Sequence, residues 1–143
     1  MIAYADTGFL VSLYGQDSNS AIATTLVRSK PVFLLTSLGE AEFTNAVELR
    51  VFRKEWTRRE ARSVRELFLQ HQAAGVFRMA ALGSDIWEKA VALSRQHSAK
   101  LGTRTLDLLH VAAALVLKPD VFYTFDIRQR TLARTQRLQI LPR

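Results

Sequence analysis

The chain has 143 residues, 48% hydrophobic and 9% aromatic, enough to bury one core and too apolar for a disordered segment. It contains no cysteine, so disulfides, thiolate catalysis and zinc–thiolate sites are excluded. With 20 Lys and Arg against 13 Asp and Glu, a net charge of +7 and an isoelectric point near 10.4, it calls for a polyanionic partner, nucleic acid first.

The opening MIAYAD has no basic region followed by a long apolar run, and no stretch reaches the ~18 apolar residues that span a membrane. A cytoplasmic protein is expected. In chain order, IAYA (2–5) reads as a strand and GFLVSLY (8–14) as a helix, followed by a second helix over 20–29. VFLL (32–35) is the next strand, with long helices over 38–52 and 58–72 behind it. VFRMA (76–80) is a third strand, followed by a helix over 84–97. TLDLLHVAAALVL (105–117) is apolar on every side, which predicts a buried helix. VFYTF (121–125) and QIL (139–141) are the last strands, on either side of a helix over 127–136. Pro31 and Pro119 mark strand entries, and Gly75, Gly83 and Gly102 mark turns. Strands with continuous apolarity, alternating with helices, imply a parallel sheet covered on both faces. The expected fold is a single α/β domain over 1–143, a three-layer α/β/α sandwich on a mostly parallel five-stranded sheet.

In such a sheet ligands bind beyond the carboxyl ends of the strands. Asp6 ends the first strand, Asp126 follows VFYTF, Asp107 opens the buried helix, and Glu42 sits one turn inside the helix after VFLLTS. Each aspartate alone has an ordinary explanation: Asp6 and Asp126 as helix N-caps, and Asp107 as an anion at a helix N-terminus. Glu42 lies past the capping positions. Wound as a helix, its segment places Leu38, Ala41, Leu49 and Phe52 on one side, with Glu42 and Asn45 in the middle of that side. A carboxylate there needs compensation, either by an ion pair to an arginine such as Arg104 or by a bound cation. Four carboxylates brought together would repel, and with only oxygen ligands on offer the cation expected is Mg²⁺ or Mn²⁺. Thr124, two residues before Asp126 on a strand, and Thr7, beside Asp6, can support the site, as can Asn45, one turn after Glu42. His110, one turn after Asp107, reads as a satisfied core histidine.

YADTGFLVSL, LLTSLGEAEFTNAVEL, RTLDLLHVAAAL and VFYTFD, in this order and spacing, resemble the PIN domain, and within it the VapC-like toxins of toxin–antitoxin pairs. The resemblance spans essentially the whole chain, and the family's four acidic positions fall on Asp6, Glu42, Asp107 and Asp126. It implies an endoribonuclease, dependent on Mg²⁺ or Mn²⁺, in which these acids hold the metal and a metal-bound water attacks the phosphodiester. It also implies a homodimer and a small cognate antitoxin. Basic residues concentrate in 50–66, and after Asp126 there is no acid, while Arg128, Arg130, Arg134, Arg137 and Arg143 follow. Arg104, Arg128 and Arg130 are candidates for the RNA backbone, a role independent of base sequence. The competing readings are a non-catalytic RNA-binding module on the same fold and a PIN nuclease of RNA processing. A phosphotransfer domain fits poorly, because Asp6 is followed by Thr7 and Gly8 rather than by a second aspartate two residues on.

Overall fold

A computed structural model describes all residues from Met1 to Arg143. Five parallel strands form one sheet in the order β3-β2-β1-β4-β5. They are β1 (Ile2–Ala5), β2 (Val32–Thr36), β3 (Phe77–Ala80), β4 (Val121–Tyr123) and β5 (Ile140–Leu141). The helices are α1 (Thr7–Tyr14), α2 (Ser20–Leu26), α3 (Ser37–Phe52), α4 (Arg58–Ala73), α5 (Ser84–Leu93), α6 (Ala99–Leu101), α7 (Thr105–Leu117) and α8 (Ile127–Thr135). A stretch of wider π-type turns, Ser94–Ser98, joins α5 to α6, and Gly102, at φ 64°, ends α6 in a conformation that glycine adopts without strain. No helix is long and apolar enough to cross a membrane.

The sheet divides the core in two because successive side chains point to opposite faces. Ala3, Ala5, Phe33, Leu35, Phe77 and Tyr123 join Phe9, Phe43, Val47 and Phe68 on the face covered by α1 to α4. Tyr4 and Phe122 face the other way, against Ile86 and Leu93 of α5, the α7 alanines and Leu132 of α8. As expected from its composition, α7 is buried without a break from Asp107 to Ala114.

Two expectations need correction. The buried stripe of α3 is Gly39, Phe43 and Val47, whereas Ala41, Asn45, Leu49 and Phe52 are exposed, Phe52 at 81%. Phe43 decides this orientation by stacking on Phe68 at 4.1 Å and meeting Tyr14 edge-on, an aromatic contact that Leu38 and Leu49 cannot match. Glu42 therefore sits beside the buried stripe rather than within it. The strand predicted over 121–125 stops at Tyr123, because the Thr124 hydroxyl is taken into side-chain hydrogen bonds and the chain turns into α8.

From β1 the chain runs outward through β2 to β3, then returns to the other side of β1 for β4 and β5. The direction reverses between β1 and β4, and the crevice for a ligand opens at their carboxyl ends. There the Asp6 N–H donates to the Tyr123 carbonyl at 3.1 Å.

Candidate active site

A cleft of about 570 Å³ lies at this reversal, lined by Asp6, Thr7, Glu42, Arg104, Asp107, His110, Asp126 and Gln129 among others. Asp17 and Arg50 complete its ionisable lining, so five carboxylates face two guanidinium groups in a protein that is basic overall. All four predicted acids are present, delivered by the end of β1, by α3, by the start of α7 and by the start of α8.

The ordinary explanations for the aspartates hold as well, and they position the site. Asp6 caps α1, its Oδ1 accepting the Phe9 N–H at 2.7 Å, and its Oδ2 accepts the Thr124 hydroxyl at 2.6 Å. Thr124 thus spends its proton on Asp6 and is buried, so it orients a carboxylate rather than a water. Burial raises the Asp6 carboxyl above its usual range, against the pull of the Thr124 and Phe9 hydrogen bonds. Asp126 caps α8, with Oδ1 accepting the Gln129 N–H at 2.9 Å. Asp107 Oδ2 accepts the backbone N–H of Arg104 at 3.0 Å, closing the first turn of α7.

Arg104 is the largest departure from expectation. It does not pair with Glu42. Its Nε and Nη2 grip Asp107 at 3.0 and 3.1 Å, and Nη2 also reaches Asp126 Oδ2 at 3.2 Å. Burial alone would raise the Asp107 carboxyl, but Arg104 and the Gln129 amide outweigh it and hold the group below its ordinary value. As the side chains stand, no three acidic or histidine groups are close enough to hold one metal ion.

Glu42 is compensated from inside the protein. Its Oε2 accepts the Thr7 hydroxyl at 3.0 Å and lies 2.6 Å from His110 Nε2. The opposite ring nitrogen, Nδ1, is 2.8 Å from the Tyr4 hydroxyl. The Glu42 carboxylate can only accept, which puts the ring proton on Nε2 and leaves Nδ1 to accept from the Tyr4 hydroxyl, whose phenol burial raises further. Both rings are buried. His110 is the satisfied core histidine that α7 implies, and it also holds a candidate catalytic carboxylate.

The remaining supporting residues divide. Thr7 belongs to the cleft, whereas Asn45 is exposed on α3 outside it. Of the basic candidates, Arg104 lines the cleft, Arg128 is exposed on the first turn of α8, and Arg130 is tied to the Thr124 carbonyl at 3.2 Å. Tyr4 and Gln129 were not anticipated. Their signals were positional: Tyr4 lies on β1 two residues before Asp6, and Gln129 one helical turn after Asp126. Gln129 donates to Asp107 Oδ1 at 3.3 Å, and its Oε1 is a buried acceptor with no donor.

The model of the PIN domain family matches residues 3–135. The chain belongs to the PIN domain family. By sequence alone no curated protein matches it. Among solved structures, this PIN domain is similar to VapC20 of Mycobacterium tuberculosis, a sarcin-ricin loop cleaving toxin. The TM-score is 0.67 at 20% identity, over 90% of this chain and 93% of that one. FitAcB of Neisseria gonorrhoeae gives 0.69 at 16% identity over 98% and 96% of the two chains. VapBC2 of Rickettsia felis, bound to a DNA fragment from its promoter, gives 0.66 at 16% identity over 98% and 97%. At these identities the likeness establishes the α/β fold, with its all-parallel sheet, as that of a PIN domain.

Proposed function

We propose that this PIN domain is a divalent-metal-dependent endoribonuclease and the toxin of a toxin–antitoxin pair. The observation that carries the reading is the meeting of Asp6, Glu42, Asp107 and Asp126 in one cleft at the reversal of the sheet. A surplus of carboxylate in a basic protein suits a site that takes up cations, and the net charge of +7 suits RNA. The donor set fits Mg²⁺ or Mn²⁺ in kind: every available carboxylate offers oxygen, and the orphaned Gln129 Oε1 is an acceptor for a cation or its water. Asp6, Asp107 and Asp126 would hold the ion, with Glu42 beside them. Bound there, it supplies acidified water and charge neutralisation for phosphodiester hydrolysis.

The protein's own groups do the rest. Thr124 and the α1 N-terminus hold Asp6 still, and Gln129 ties Asp107 to the start of α8. Thr7 and His110 occupy Glu42 Oε2, which leaves Oε1 as the oxygen without a protein donor, able to take a proton from an attacking water. Arg104 at the cleft and Arg128 beside it are donors for phosphate oxygens, while Arg130 is committed to backbone. In this reading the protein acts in the cytoplasm as a homodimer with a small antitoxin; its likeness to the VapC20 toxin supports the toxin role.

The test is cleavage of a mixed RNA pool by the purified protein with Mg²⁺, with Mn²⁺ and with EDTA, beside Asp107→Asn. Cleavage should require the metal and fall at least about a hundredfold in the variant. RNA that is bound but left intact under every condition would replace the nuclease with a non-catalytic binding module.

A further inference from the structure

Arg104 is not among the groups that would hold a cation, yet its guanidinium makes three hydrogen bonds to two of them. Two neighbouring carboxylates, one of them buried, need positive charge nearby, and Arg104 supplies it. A divalent ion at the same oxygens would meet the guanidinium at close range, and like charges so close repel strongly. We propose that Arg104 is an internal counter-ion that closes the Asp107–Asp126 pair in the cation-free protein and leaves it when a divalent cation binds. This rests on the cation-dependent reading above.

The geometry equips Arg104 to leave without disturbing the acids. Its side chain is 61% exposed, while that of Asp107 is 1% exposed, so the guanidinium reaches in from solvent to a fixed carboxylate. With the guanidinium gone, Asp107 keeps one donor on each oxygen: the Arg104 backbone N–H on Oδ2 and the Gln129 amide on Oδ1. Asp126 likewise keeps the Gln129 N–H on Oδ1. Both carboxylates stay anchored at helix N-termini, with the oxygens that Arg104 had bridged open to a new cation.

The experiment titrates Mn²⁺ by calorimetry into the chelator-treated full chain, comparing wild type, Arg104→Met, Arg104→Lys and Asp107→Asn. Arg104→Met, which removes the charge and keeps much of the stem, should bind Mn²⁺ about tenfold more tightly or better. Arg104→Lys keeps the charge without the two-pronged grip and should gain less. In parallel, the Arg104 Nε–H signal, slowed in exchange by its bond to Asp107, should move and lose protection as Mg²⁺ saturates the wild type. Mn²⁺ binding that Asp107→Asn abolishes but Arg104→Met leaves unchanged or weakens would overturn the counter-ion role and spare the cation-dependent reading. Absence of Mn²⁺ binding in every variant, with RNA cleavage indifferent to EDTA, would overturn both.

Discussion

On one side of the cleft Glu42 is held from beneath, by buried His110 and Tyr4 behind it; on the other, Asp107 and Asp126 are held from solvent by exposed Arg104. The first arrangement is part of the core and satisfies a carboxylate with the N–H of a buried ring. The second brings a permanent charge on a flexible stem, which is easily made and easily withdrawn. One site thus contains a fixed acceptor and an exchangeable cationic cover, and the difference follows from where the partner is rooted. His110 sits on the fully buried stretch of α7, and Arg104 immediately precedes that helix, at its mouth.

Removing each partner should expose this contrast. His110→Ala opens a cavity beside the sheet, leaves Tyr4 without its partner and leaves Glu42 with Thr7 alone, at a cost of about 2–4 kcal/mol. Arg104→Met removes a partner that is itself exposed and leaves buried Asp107 its backbone and Gln129 donors, so it should cost less, about 1 kcal/mol. Thermal melts of the chelated protein compare them directly, and equal losses would remove the distinction between buried and exposed partners. Tyr4→Phe deletes a single hydroxyl and should cost about 1 kcal/mol while lowering RNA cleavage roughly tenfold through a less firmly held Glu42. Unchanged cleavage at full metal would show that His110 alone positions the carboxylate.

The smallest effect is one of pH. Asp6 holds its proton more tightly folded than unfolded, so its contribution to stability is largest in acid and is lost as pH rises from its ordinary value of 3.8 through the folded value. Asp107 behaves oppositely: its contribution is present above 3.8 and is lost as pH falls through its depressed folded value. In chelated protein, Asp6→Asn should therefore gain melting temperature relative to wild type as pH increases from about 4 to 8. A difference that stays flat with pH would mean that burial does not penalise the Asp6 charge.

Most of the architecture could be read from the chain because its signals are local. Strand runs such as VFLL, the all-round apolarity of α7 and the capping residues Asp6 and Asp126 act within a few residues of where they stand. The orientation of α3 could not be read this way. Two stripes of comparable apolarity compete on that helix, and the aromatic surface of Phe68 and Tyr14, contributed by other elements, selects Phe43 over Leu49. For the same reason the hydroxyl and the imidazole that meet Glu42, contributed by α1 and α7, cannot be read from its own helix.

By itself the sequence determined the acids and their places at strand and helix ends, because a carboxylate at a helix N-terminus is favoured by the backbone N–H groups just after it in the chain. Only the tertiary structure decided their partners. Glu42 and His110 are 68 residues apart, Thr124 and Asp6 118 apart, and Arg104 and Asp126 22 apart. Such pairings are set by a parallel sheet whose crossovers bring distant segments to one edge, and no pattern within a short window of sequence encodes them.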